Sequence, residues 1–241
     1  MSSDPAGPRR FPRGVLFDLD GTLLDSAPDM LATVNRMRAA RGEPPMALEA
    51  IRPHVSRGAR AMSAAAFPQL VPGQVAALVP EFLEIYGEEL GRHGQPFAGV
   101  EELLAALEAD GVRWGIVTNK PGRLAADLLP MLGWQQRCAI LVGGDSLAER
   151  KPHPLPLLHA ARAIGIDAEA CAYVGDDRRD IDAARAAGMA SVVALWGYRL
   201  EDDDPATWQG DAMLADPRAL LEPAAWPRRR ARPDPRPTMT R

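Results

Sequence analysis

The run "GVLFDLDGTLLDS", Gly14 to Ser26, decides how the rest of the chain is read. Its first part is apolar and rich in β-branched and aromatic side chains, the composition of a buried strand. Two carboxylates, Asp18 and Asp20, follow at once, and the chain then turns on Gly21-Thr22. Carboxylates this close repel each other unless a cation or a shared proton lies between them. The stretch is therefore either a plain solvated strand end or a metal-assisted reaction centre.

Working outward, no further strand pattern appears until about Gly94. "SAPDMLATVNRMRAARG" (Ser26–Gly42) has helical spacing behind a Ser/Asp-rich start and stops at Gly42. "PEFLEIYGEELG" is expected to start a second helix at Pro80, a favoured first-turn residue. The Ala- and Gly-rich "RPHVSRGARAMSAAAF" between them reads as a loop feeding another helix. After Pro96 the texture becomes an alternation. Strand-like "VRWGIVTN", "CAILVGGD", "CAYVGDD" and "ASVVALWGY" take turns with helical "VEELLAALEADG", "PGRLAADLLPMLG", "PLPLLHAARAIG" and "RDIDAARAAG". That alternation predicts an α/β fold, a Rossmann-like parallel sheet with helices on both faces. The helical stretch after the first strand is then an inserted all-helical cap domain. The expected division is a disordered lead-in over 1–13, a core over 14–25 and 96–222, a cap over 26–95, and a disordered Pro/Arg-rich tail over 223–241.

Composition narrows the function classes. The 241 residues are 46% hydrophobic and 25% charged, ordinary values for a globular chain. No apolar run reaches the roughly 18 residues of a membrane span, and the N-terminal arginines are not followed by an apolar signal core. The expectation is a cytoplasmic protein with no membrane partner. Cys138 and Cys171 each sit beside an apolar run and read as buried free thiols, and the four scattered histidines offer no zinc spacing. The formal charge of −4 conceals a C-terminal segment from Pro227 with six arginines against one aspartate, which leaves −9 on the rest. An acidic body is a poor nucleic-acid binder.

In parallel α/β sheets the ligand crevice lies at the carboxyl ends of the strands. Four of these strands end in reactive residues: Asp18 and Asp20; Thr118 and Asn119; Asp145 and Ser146, with Lys151 shortly beyond; Asp176 and Asp177. Acids gathered without His or Cys suit a hard ion such as Mg²⁺. Acids, Mg²⁺ and a lysine together suit a phosphoryl group. Thr118 has a hydroxyl to donate to it, and Gly21-Thr22 has backbone N–H groups to present. Any one of these acids would equally serve as a helix cap; the set is what points to a site.

In order, "DLDGTLLDS", "VTNK", "KPHP" and "VGDDRRDIDAARAAGM" resemble the four motifs of the haloacid dehalogenase-like superfamily of phosphatases, over about residues 14 to 220. The likeness is nearest to the phosphoglycolate phosphatase-like branch with a helical cap. The resemblance implies Asp18 as a nucleophile that forms an aspartyl-phosphate, and Asp20 as acid and then base. It implies Mg²⁺ on Asp18, the backbone carbonyl of Asp20, and Asp176. Thr118 and Asn119 would grip phosphate oxygens and Lys151 would offset the charge of the transferring group. Asp177 and Asp180 would orient the lysine and the metal's waters, with Asp177 also in reach as a direct or water-mediated ligand. The dehalogenase reaction itself is disfavoured because those relatives lack the acid at the position of Asp20. A sugar-phosphate mutase or a non-catalytic binding module are the other readings of the same core.

The substrate's remainder would be read by the cap, where Arg57 and Arg60 flank Gly58 in "VSRGARAM"; a guanidinium fork suits a carboxylate, although either arginine also fits a solvated helix start. Arg123 is a weaker candidate on the core side. Two carboxylate-bearing metabolites fit the resemblance. One is 2-phosphoglycolate. The other is N-acetylmuramic acid 6-phosphate of peptidoglycan recycling, which the reading favours because Ser56-Arg57-Gly58 stands where phosphoglycolate phosphatases commonly carry Gly-Asn-Gly. The expected partner is thus a small phosphorylated metabolite.

Overall fold

In the computed structural model, which describes residues 9–227, Gly14–Phe17 is the central strand, β1, of a six-stranded sheet. The chain leaves it through a tight turn into β2 (Leu24–Asp25). It then runs through four helices, α1 (Ala27–Ala39), α2 (Leu48–Ile51), α3 (Ala59–Ala66) and α4 (Pro72–Glu89), and returns as β3 (Gln95–Pro96). The alternation follows: α5 (Val100–Ala109), β4 (Arg113–Val117), α6 (Gly122–Met131), β5 (Leu141–Val142), α7 (Leu155–Ala163), β6 (Cys171–Gly175), α8 (Arg178–Ala187), β7 (Ala190–Ala194) and β8 (Ala212–Leu214). The sheet order is β5-β4-β1-β6-β7-β8, with every pairing parallel.

Side chains alternating along β1 explain the two covered faces. Val15 and Phe17 enter one apolar cluster with Leu103 and Leu107 of α5 and Leu124 and Leu128 of α6. Leu16 points the other way, into a second cluster with Leu157 and Ala161 of α7 and Ala183 and Ala184 of α8. A parallel sheet buried on both sides reads as nearly continuous apolar runs, as seen here.

The main chain passes between the sheet and the helical segment at one place. Outgoing β2 and returning β3 pair antiparallel, Leu24 with Pro96 and Asp25 with Gln95. The fully buried Asp29 accepts N–H bonds from Gly91, His93 and Gly94 at 2.9, 2.6 and 3.0 Å, which satisfies three main-chain donors where α4 hands over to β3.

Three expectations change. Helix α4 begins at Pro72 rather than Pro80, and Pro80 lies inside it. Pro72 takes the first-turn position, and Gln74 accepts the Val71 N–H at 3.1 Å. Burial of Val75, Phe82 and Tyr86 holds the helix across the missing proline donor. Strand β8, unseen in the sequence, is a half-exposed edge strand too short for a pattern. The lead-in and tail are also shorter than expected. Phe11 and Trp226 are buried and meet edge to face, 6.2 Å between centroids, and the Trp226 indole N–H donates to Leu220. Two aromatic faces closing one gap outweigh the polar, proline-rich composition around them. The rest of the expected disorder, 1–8 and 228–241, lies outside the described residues.

Candidate active site

Strands β4, β1 and β6 are neighbours, so their carboxyl ends bring Thr118, Asp18 and Asp176 to one edge of the sheet. The order in which strands are added reverses at β1, with β4 and β5 on one side and β6 to β8 on the other, the switch point where such folds open a crevice. Asp18, Asp176 and Asp180 each place a carboxylate oxygen within 4.8 Å of the others, all buried. Lys151 stands among them, its Nζ 2.9 Å from Asp18 Oδ1 and 2.7 Å from Asp180 Oδ1. Its ammonium also donates to the Tyr173 hydroxyl at 2.8 Å, and that hydroxyl donates to the Val117 carbonyl at 2.6 Å. Burial works to discharge the lysine, but the charges of Asp18 and Asp180 outweigh it and hold its pKa above the usual value.

The acids are under opposite pressure. Burial, then the charges of Asp18 and Asp180, push Asp176 well above the ordinary carboxylate range; the Tyr198 N–H at 2.8 Å and the Ser56 hydroxyl at 2.7 Å offset this in part. Burial pushes Asp180 up to about 7 against the pull of Lys151. Asp18 Oδ1, despite its nearness to Lys151, has no aligned hydrogen-bond donor. Three buried carboxylates this close, one of them with an oxygen that accepts no aligned hydrogen bond, fit a hard divalent cation.

The carboxylate of Asp20 stands outside this group of three, with both its oxygens 3.1 Å from Lys120 Nζ, and Asp180 supplies the third gathered side chain. Several sequence expectations find different employment. Gly21 and Thr22 do not offer free N–H groups: the turn closes on itself, with Gly21 donating to Leu24 at 3.0 Å and Thr22 to Leu19 at 3.3 Å. They serve Asp176 instead. The Thr22 hydroxyl donates to it at 3.2 Å, and Gly21, at φ +84°, passes so close that a Cβ there would stand 2.1 Å from its Oδ2. Thr118 keeps a cavity-lining place; its oxygen accepts the Lys120 N–H at 3.2 Å, which leaves its own proton to give. The Asn119 amide donates to the Lys151 carbonyl at 3.0 Å, so this side chain holds the lysine's loop.

Asp177 caps α8 through the Arg179 N–H and pairs with the Arg179 guanidinium at 2.8 Å, and its carboxylate is not one of the three gathered. Although burial opposes it, that guanidinium holds Asp177 below the usual carboxylate range. Asp145 accepts the Gly122 N–H at 2.7 Å at the start of α6, and the Ser146 hydroxyl accepts the Gly143 N–H at 2.9 Å within its own turn; both serve main-chain donors.

Above this edge lies a cavity of about 370 Å³. Asp18, Asp20, Thr118 and Asn119 line its floor; Met30, Val55, Phe82 and Leu83 of the helical segment form an apolar wall; Arg57 and Arg60 also line it. Arg57 pairs with Asp203 at 3.1 Å, whereas Arg60 has no hydrogen bond or ion pair among the described residues. Arg123 is exposed, faces Asp127 at 3.9 Å and does not line this cavity. Sequence reading missed Ser56, Tyr86, Lys120 and Arg179. The Arg179 guanidinium donates to the Ser56 carbonyl at 2.6 Å, a second tie from core to helical segment.

Residues 15–194, three quarters of the chain, match the family described as haloacid dehalogenase-like hydrolase. The chain belongs to that family. A protein of Xanthomonas campestris named phosphoglycolate phosphatase is 65% identical over 218 residues, 90% of this chain and 99% of its own. One of Pseudomonas aeruginosa named N-acetylmuramic acid 6-phosphate phosphatase is 44% identical over 211 residues, 87% and 93% of the two chains. The crystal structure of a predicted phosphoglycolate phosphatase from Haemophilus somnus superposes with a TM-score of 0.77 at 30% identity, covering 89% of this chain and 98% of that one. This haloacid dehalogenase-like hydrolase is thus an enzyme, a phosphatase acting on phosphomonoesters, built on the family's Rossmann-like core. Among the described residues no helix is long and apolar enough to cross a membrane.

Proposed function

We propose that the enzyme hydrolyses a small carboxylate-bearing phosphomonoester in the cytoplasm through an aspartyl-phosphate on Asp18. The observation that carries this reading is the meeting of Asp176, Asp180 and Lys151 with Asp18, which itself lines the cavity. A carboxylate oxygen of Asp18 attacks phosphorus as the ester P–O bond breaks, and Asp20 gives its proton to the leaving alkoxide. Asp20 then takes a proton from water, whose oxygen attacks the same phosphorus; inorganic phosphate leaves and the Asp18 carboxylate is restored. Thr118 donates its hydroxyl to a phosphate oxygen, and Lys151 lies where negative charge builds during transfer. Asp18, Asp176, Asp180 and the Asp20 carbonyl would hold Mg²⁺, which when bound supplies positive charge to the phosphoryl oxygens.

For the substrate we favour N-acetylmuramic acid 6-phosphate. The cavity of about 370 Å³ has room for a sugar acid and an apolar wall for its methyl groups, and Arg60, without an ion pair among the described residues, lies on its lining to meet a carboxylate. The P. aeruginosa relative bears that name. The second reading is 2-phosphoglycolate, which the 65% identity to the X. campestris protein favours. Phosphate release from both esters at equal concentration, with Mg²⁺ or with EDTA, tests this. A preference of about tenfold in kcat/KM, or about 1.4 kcal/mol in transition-state binding, decides between them. Asp18→Asn is expected to abolish turnover of both, and retained turnover would remove the covalent reading.

A further inference from the structure

Asp20 is held differently from the other acids of the site. Lys120 reaches it from the loop after β4, with a side chain only 3% exposed, and straddles both carboxylate oxygens at 3.1 Å. The same ammonium donates to the phenol oxygen of the buried Tyr86 and lies 4.3 Å from the centre of its ring. An ammonium has three N–H groups, and here three oxygens surround it. Tyr86 comes from α4, so the helical segment, the β4 loop and the β1 loop converge on one nitrogen.

Nothing in the catalytic scheme above uses this lysine. Its geometry has a consequence for that scheme, because a carboxylate whose oxygens are both engaged by one buried cation cannot rotate freely. Acid and base catalysis depends on such aim: the transferring proton must lie on a short line to the reacting oxygen. In either protonation state one Asp20 oxygen can go on accepting from Lys120 while the other faces the leaving group. We propose that Lys120 is the positioning residue for Asp20 and that Tyr86 fixes Lys120, so that helix α4 sets the aim of the acid and base. This rests on the role given to Asp20 above.

The test is a series of phosphomonoesters graded by leaving group, from 4-nitrophenyl phosphate, whose phenolate departs unaided, to alkyl phosphates, whose alkoxide needs the proton. Lys120→Met is expected to lower kcat/KM for the alkyl esters by about a hundredfold and for the nitrophenyl ester by less than about threefold, which steepens the dependence on leaving-group pKa. Tyr86→Phe keeps the ring and removes one hydroxyl; it should show the same pattern at about tenfold on the alkyl esters. Equal losses along the series, in either variant, would overturn the proposal and leave Lys120 a structural ion pair. If Lys120→Met does not fold, the Tyr86→Phe series decides alone. Asp18→Asn is run beside them: turnover retained there would overturn the underlying reading, whereas a dead Asp18 variant with a flat Lys120 series overturns only the positioning role.

Discussion

Ser56 donates its hydroxyl to Asp176 across 2.7 Å, a bond from the helical segment onto a carboxylate of the phosphatase centre. Asp176 also accepts from the Tyr198 N–H, so removing the serine hydroxyl weakens the carboxylate's support without orphaning it. Ser56→Ala should therefore lower stability by about 1 kcal/mol, the net worth of one such bond. The urea midpoint of the metal-free protein reads this, and an unmoved midpoint would assign the contact no weight.

Metal should stabilise the protein more at high pH than at low. Burial raises Asp180 to about 7 in the folded state, against about 3.9 for an unfolded aspartate, and raises Asp176 in the same direction. Below about pH 4 both states are protonated and the groups cost nothing. Above that the folded protein holds protons that the unfolded chain has released, so stability falls as pH rises, and the full penalty of Asp180 stands above about pH 7. A divalent cation among the three carboxylates offsets it. The Tm gain from Mg²⁺ over EDTA is expected to be larger at pH 8 than at pH 5; equal gains would count against the cluster as the binding site.

Arg60→Ala should raise KM for a carboxylate-bearing substrate about tenfold and leave an aryl phosphate without a carboxylate unchanged. Equal losses on both would take Arg60 out of recognition. Asp203, fixed by the Trp208 indole N–H at 2.9 Å, holds Arg57, so Asp203→Asn frees that guanidinium. The expected result is a lower KM for the carboxylate substrate alone, read in the same assay.

Trp226→Ala should cost about 3 kcal/mol, the scale of a large aromatic removed from a packed site, with kcat preserved because Phe11 and Trp226 lie away from the cavity residues. Chemical denaturation followed by assay of the refolded variant checks both halves of that statement.

The parts of the fold that were legible in the chain are those where local chemistry repeats. Apolar runs ending in Asp18, Thr118 and Asp176 announced three strands, and their adjacency follows from parallel pairing. Pro80 misled because propensity describes an isolated helix, whereas Phe82 and Tyr86 hold this one by tertiary burial. Lys120 was passed over for a related reason. A lysine between a strand and a helix looks solvated until Tyr86, distant in sequence, is placed over it. Gly21 and Thr22 were assigned to the right site and the wrong duty, since whether an N–H is free depends on how the turn closes.

The β2–β3 ribbon implies how access is governed. Since the chain crosses between helices and sheet only at these two paired strands, any swing of the helices over the sheet must turn about that line, as a door turns on its jamb. Displacement grows with distance from the axis. The Arg52–Asp25 pair, with Asp25 in the ribbon itself, would persist through such a swing, while bonds made farther along the leaf, Ser56 to Asp176 and Arg57 to Asp203, would act as its catches.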